Sequence, residues 1–306
     1  MINQVKLAIA AIVIVIPLAS FAVYATDSEI KQENPNMKLT VISSFYPLHE
    51  FAQKIGQNKI DATLLVPVGI EPHDWEPTIQ DVHRMQKADL IIINGIGFES
   101  WVNHLDQINF NGNIVDTSKG VTKSHSYDDL QIIDNKSDQE FDPHIWLNPV
   151  MAKIQVQNIA DAFSLSDPSN EKLYQHNANS LKNELGLLDA KIRNELSNCN
   201  HDFISFHNAF SYFADEYNLN QHSIISSNNP HGEPTAKTLE NIITLAKKFN
   251  LKIIFTEETA DPRTSEVISN EIGGKILVLS PIEVGNDQSY VSRMTENLNH
   301  LKEALC

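Results

Sequence analysis

The chain has 306 residues, with 23 Lys and Arg against 39 Asp and Glu, a formal charge of −16, 12 histidines and only two cysteines. The negative charge is spread along the chain instead of forming a tail, which argues against nucleic acid or an anionic lipid surface as partner and suits a cationic ligand. The length is enough for one large or two ordinary domains with a substantial core, and two lobes fit it better.

The first segment, 1–25, is unlike the rest. It holds one Lys, Lys6, no acid, and an apolar run from Leu7 to Tyr24 broken only by Pro17 and Ser20. This is the pattern of a secretory signal peptide with cleavage after Ala25, which places the mature protein in the periplasm. No Cys stands near the cleavage point to take a lipid anchor, and no second apolar span follows. A polar segment, 26–37, leads into the mature chain.

From Lys38 onward, short β-rich runs alternate with helical patterns, and the alternation occurs twice. The first series predicts strands at Leu39–Ser43, Ala62–Val66, Leu90–Asn94 and Asn113–Asp116, with a helix over Thr78–Lys87 on which Ile79, Val82 and Met85 share a face. The segment Lys119–Glu140 is acidic, poor in apolar residues and predicted to be a mobile surface loop. Helical patterns follow at Val150–Phe163 and at Ser180–Leu196, the latter with Leu181, Leu185, Leu188, Ile192 and Leu196 on one face.

The second series predicts strands at Phe203–Phe206, Ser223–Ser226, Ile253–Thr256 and Ile276–Leu279. A stripe of Leu239, Ile242, Ile243, Ala246 and Phe249 has helical spacing, and Asp261-Pro262 is a cap and first position for another helix. Strand and helix in repetition predict an α/β fold with two parallel-sheet lobes joined by a long rigid helix and a ligand site in the cleft between them. The expected divisions are an N-terminal lobe at 38–148 that includes the loop 119–140, a helical linker at 149–200 and a C-terminal lobe at 201–306. In an oxidising compartment Cys199 and Cys306 are free to pair, and two separate thiols are equally compatible with the sequence.

The chemistry lies in the histidines. Two sit in nearly the same setting, Glu71-Pro72-His73-Asp74-Trp75 and Asp142-Pro143-His144-Ile145-Trp146. Pro restricts the backbone on either side, so each imidazole is presented from a stiff loop, and the preceding carboxylate is placed to hold the ring's second nitrogen. His207 directly follows a predicted strand, where parallel sheets collect ligands. Three neutral imidazoles with a fourth position for water or carboxylate make a zinc-type site, whereas manganese prefers more oxygen. Of the other histidines, His49 and His83 lie on helical patterns, and His104, His125, His176, His201, His222 and His300 read as surface or packing residues. His231, in a loop beyond a second-lobe strand, is an outside candidate.

At these residues the chain resembles the metal-binding substrate-binding proteins of ATP-driven zinc and manganese importers, the high-affinity zinc-uptake branch in particular. The resemblance covers essentially the whole mature chain. It is carried by the two Pro-His motifs and by Ser44-Phe45-Tyr46-Pro47, Asn94-Gly95-Ile96-Gly97-Phe98-Glu99, Phe206-His207-Asn208-Ala209-Phe210 and Ile254-Phe255-Thr256-Glu257. It implies a monomer that binds one metal between two α/β lobes, on His73, His144 and His207, and delivers it to the membrane permease of an ABC importer. Manganese-type members resemble this pattern with Glu where His207 stands, so the His implies Zn2+, with Mn2+ or iron the alternative cargo.

The chain departs from the family pattern in two places. Ser280 stands where the family commonly has Asp, which leaves Glu257, Glu283, Asp287 or water as the fourth ligand. The loop before Asp142 offers one histidine, His125, where many zinc-type members have several. A secreted zinc-dependent hydrolase is the competing reading, since a three-His site with an open position also serves hydrolysis, but no HExxH pattern or spaced acid–base pair is present.

Overall fold

The computed structural model describes residues 38–122, 141–225 and 233–306. The expected signal peptide, the polar segment, His125, His231 and all of the acidic loop beyond Thr122 lie outside the described residues. β-Branched and apolar residues form β1 (Leu39–Ser43) and β3 (Leu90–Ile93), flanked by β2 (Ile60–Leu64) and β4 (Asn113–Asp116). All four pair in parallel in the order β2-β1-β3-β4. The second sheet repeats this plan with β5 (Asp202–His207), β6 (Asn220–Ile225), β7 (Ile253–Thr256) and β8 (Lys275–Val278), parallel in the order β6-β5-β7-β8.

The helices are α1 (Tyr46–Gly56) and α2 (Ile79–Met85) in the first lobe, α3 (Pro149–Ser166) and α4 (Glu171–Leu196) between the sheets, and α5 (Ser211–Glu216), α6 (Ala236–Phe249), α7 (Pro262–Ile272) and α8 (Tyr290–Leu305) in the second lobe. Their starts follow from local chemistry. Thr78 and Asp81 form a capping box at α2, Asn148 accepts the Val150 and Met151 amides at α3, and Asp261 accepts the Arg263 amide ahead of Pro262 at α7.

Helix α4 runs for 26 residues, roughly 39 Å at 1.5 Å per residue. Its expected stripe is buried, and Tyr174 and Ala178 extend it. That stripe joins one continuous core containing Phe45, Phe51 and Trp146 on one side and Phe203, Phe213 and Leu298 on the other. The two sheets are therefore tied through a shared apolar interior and not through a bare linker. Among the described residues no helix is long and apolar enough to cross a membrane.

Several strand bounds differ from expectation. β6 starts three residues early because Asn220, Gln221 and His222 lie on an edge strand that is only half covered, so no apolar signal marks them. β2 starts two residues before Ala62 and ends ahead of Pro67, which has no N–H to donate to a ladder. β5 runs one residue further than predicted, so His207 is its last residue and pairs with Ile225. On α2 the expected apolar face is only partly used: Met85 is buried, whereas Ile79 is 77% exposed.

Cys199 and Cys306 form a disulfide with Cα atoms 4.6 Å apart. Cys199 precedes β5 and Cys306 ends α8, so the bond closes the whole second lobe into a ring. The Asn200 amide donates to the Leu305 carbonyl beside it at 2.9 Å.

Candidate metal centre

The carboxyl ends of both sheets face one buried cluster. His73 comes from the loop after β2, His144 from the segment after β4, His207 from the end of β5 and Glu283 from the loop after β8. One ligand atom from each lies within 4.8 Å of all the others. His144 is central: its Nε2 stands 3.3 Å from His73 Nε2, 3.2 Å from His207 Nε2 and 3.1 Å from Glu283 Oε1. Glu283 Oε1 is 3.3 Å from His73 Nε2 and 3.9 Å from His207 Nε2. His144 and His207 are fully buried, and Glu283 is 2% exposed.

Carboxylates behind two of the imidazoles fix their rings. His144 Nδ1 faces Asp142 Oδ1 at 2.7 Å, and the His144 amide donates to the same oxygen at 3.0 Å. His207 Nδ1 faces Glu257 Oε1 at 2.6 Å, and the His207 amide donates to it at 3.2 Å. When the ring is neutral, a carboxylate on Nδ1 puts the proton there and turns the Nε2 lone pair into the cluster. Glu257, one of the expected fourth ligands, therefore stands behind His207 and not within the cluster. Asp287 is exposed and outside it, and Ser280 Oγ accepts hydrogen bonds from Arg293 and from the Ile282 amide.

The two Pro-His motifs, near-identical in sequence, are not equivalent in structure. Asp142 holds the ring of His144 as expected, but Glu71 accepts the His73 amide at 3.0 Å and lies 4.0 Å from Nε2, on the metal-facing side. Trp146 is buried, packs on His144 with ring centroids 5.0 Å apart and donates to the Pro281 carbonyl of the second lobe at 2.7 Å. Trp75 instead is half-buried against Trp101.

The segment carrying His144 is also pinned from the second lobe by the Tyr212 hydroxyl on the Asp142 carbonyl and the Tyr290 hydroxyl on the Trp146 carbonyl. From the first lobe, Asn94 donates to the Pro143 carbonyl at 2.8 Å and is itself held by Glu99, which accepts the Asn94 amide at 2.7 Å and the Ser44 hydroxyl at 2.7 Å. Burial pushes Glu99 up to about 7 against these hydrogen bonds. Neither Asn94 nor Glu99 was marked as a site residue by spacing, although both lie in a stretch that carries the family resemblance.

The electrostatics follow from burial and opposed charges. Burial disfavours a charge on His144, but Asp142 and Glu283 outweigh it and raise the imidazole to about 10. Burial likewise opposes charge on Glu283, yet His73, His144 and His207 hold its carboxyl well below the usual range. Burial lowers His73, and burial with the nearby Glu283 raises Glu71 to about 9. The metal-free cluster thus sets an ionised Glu283 beside a charged His144, a pairing that a dication can replace. Because Asp142 sets the basicity and direction of His144, Asp142→Asn is expected to weaken metal binding by about 10- to 100-fold, read by competition against a chromophoric chelator. An unchanged affinity would mean that Asp142 only shapes the loop.

Two parallel-sheet lobes, joined by a long helix and enclosing a buried set of three imidazoles and a carboxylate, define a solute-binding protein of the metal-capturing class. Residues 41–304 match the family described as zinc-uptake complex component A, periplasmic, and the chain belongs to that family. It is 34% identical over 281 residues to the high-affinity zinc uptake system protein ZnuA of Bacillus subtilis, with 88% of each chain covered. It is 32% identical to the zinc-binding protein AdcA of Streptococcus pyogenes over 90% of this chain, which spans 58% of that relative's length. The fold is similar to the Zn(II)-bound ZnuA-like domain of Streptococcus pneumoniae AdcA, with TM-score 0.74, 30% identity, and 88% and 99% of the two chains covered.

Proposed function

We propose that this protein captures Zn2+ outside the cytoplasm on His73, His144, His207 and Glu283 and passes it to the membrane permease of an ABC importer. The observation that carries this is the spacing of the donors. A tetrahedral zinc with bonds of about 2.0–2.1 Å needs neighbouring donors about 3.3–3.4 Å apart, and four of the separations here are 3.1 to 3.3 Å. Three imidazoles favour zinc over manganese, which prefers oxygen.

With Glu283 in the fourth place the set is closed. Catalytic zinc keeps an open position for water, so the arrangement supports a carrier and not a hydrolase. In this reading the mature chain is a monomer freed by cleavage after Ala25, with lobes 38–148 and 201–306 joined through 149–200. Zinc bridges donors from both lobes and so favours the closed arrangement. Competitive titration of the metal-stripped protein tests the cargo: one zinc per chain held well ahead of manganese is expected, and manganese preference would reverse the assignment.

The charge on His144 gives the pH dependence its sign. Because its pKa is raised to about 10, the metal-free site carries this proton at neutral pH, and zinc must displace it. Affinity therefore rises by about tenfold per pH unit for that proton across neutral pH and falls in acid. Calorimetry in buffers of different ionisation enthalpy at pH 7.5 is expected to register about one proton released per zinc; none released would contradict the charge state described above.

A further inference from the structure

We infer that Arg293, on the last helix and ten residues beyond Glu283, is the positioning residue that holds Glu283 at the cluster. This deepens the zinc-carrier reading and rests on it. Glu283 lies in the short connection between β8 and α8, where a carboxylate would ordinarily be free to swing. Here the connection is clamped at both sides of Glu283 by one guanidinium. Arg293 Nη2 donates to Ser280 Oγ at 2.7 Å, and Nη1 donates to the Val284 carbonyl at 2.5 Å. Nη2 also meets Glu258 Oε1 at 2.7 Å, which supplies the countercharge from the residue next to Glu257.

The clamp holds a conformation that the chain would not otherwise keep. Ile282, directly before Glu283, has φ of 61°, left-handed backbone that a β-branched residue strongly disfavours. Such strain persists only where the surroundings over-determine it, and it gathers at functional sites. Asn297, one turn beyond Arg293 on the same face of α8, accepts the Ser280 amide at 2.8 Å and donates to the Ser280 carbonyl at 2.7 Å. With Trp146 donating to the Pro281 carbonyl and the Ile282 amide donating to Ser280 Oγ, the backbone from Ser280 to Ile282 is held.

Arg293 is 2% exposed, and its polar partners are Ser280, Val284 and Glu258. The planar fork donates from two separate nitrogens and so reaches Ser280 and Val284 on either side of Glu283, whereas a lysine donates all its protons from a single nitrogen. Ser280 has a role in the same device: its hydroxyl accepts the arginine and leaves Glu283 as the carboxylate facing the imidazoles.

The test is a double-mutant cycle read by zinc affinity, with His207→Ala as control. Arg293→Lys is expected to lower the zinc affinity of the stripped protein by about 10- to 100-fold, and to lower it no further in a Glu283→Gln background, because the carboxylate it positions is already gone. The Co2+-loaded Arg293→Lys protein should also take on the absorption spectrum of Co2+-loaded Glu283→Gln, a change that a general loss of stability would not produce. Equal losses in both backgrounds, or no loss, would overturn the proposal. If Arg293→Lys does not fold, Glu258→Gln, on the rim of the clamp, takes its place in the same cycle, with a smaller loss confined to the Glu283 background expected and an equal loss in both backgrounds overturning it. If His207→Ala weakens zinc while Glu283→Gln does not, the positioning proposal alone fails; if neither weakens zinc, the site reading itself fails.

Discussion

His144→Ala is expected to lower zinc affinity by roughly a thousandfold and to leave the apo protein folded. Zinc bound by four protein ligands is held by about 10–16 kcal/mol, so one ligand accounts for about 3–4 kcal/mol, or two to three orders of magnitude in Kd. His144 belongs at the upper end because its Nε2 is the one atom within 3.3 Å of all three other donors. Its loss also strands Asp142, a buried carboxylate whose ring partner is gone. His73→Ala, at the more open side of the cluster, should cost less. Competition against a high-affinity chelator measures both. An order His73 above His144 would show that the metal sits nearer the first Pro-His loop than the donor geometry implies.

The second large effect is on stability. Cys199→Ser, or reduction of the native protein, removes a crosslink that closes a sequence separation of 107 residues. For a loop of that length the loss of chain-entropy restriction is about 4–5 kcal/mol, which in a chain of this size corresponds to roughly 10 °C in Tm. The metal donors His73 and His144 lie outside the ring, whereas His207 and Glu283 lie inside it. Reduction is therefore expected to lower the melting temperature of the metal-free protein strongly, with zinc restoring part of it by mass action. Melting curves with and without reductant decide this, and coincident curves would mean that the second lobe is held by its core alone.

Much of the architecture could be read from the sequence because central strands and helix stripes carry strong periodic signals. β1, β4 and β7 start and end at the expected residues, and the stripe from Leu181 to Leu196 is buried as its spacing requires. The edge strand β6 was displaced because half its residues face water and are polar. The metal-facing histidines stood out for a different reason: two proline-stiffened copies of one motif do not arise from packing. What spacing could not carry was the assignment of carboxylates. Glu257 and Glu283 both follow second-lobe strands, and only the three-dimensional course of the two loops puts one on His207 Nδ1 and the other on the cluster. The same holds for Arg293 and Glu99, which act through other residues and leave no pattern along the chain. Near-identity of the two Pro-His motifs even misled, since Glu71 and Asp142 do different work.

The central claim is a closed set of three imidazoles and one carboxylate around a single zinc. X-ray absorption at the zinc edge of the loaded, full mature protein tests it directly. Four scatterers are expected at about 2.0–2.1 Å, with the outer-shell signature of three imidazole rings and one oxygen donor, and with that oxygen contribution altered in Glu283→Gln. A shell of five or six oxygen-rich ligands, or fewer than three imidazoles, would contradict it.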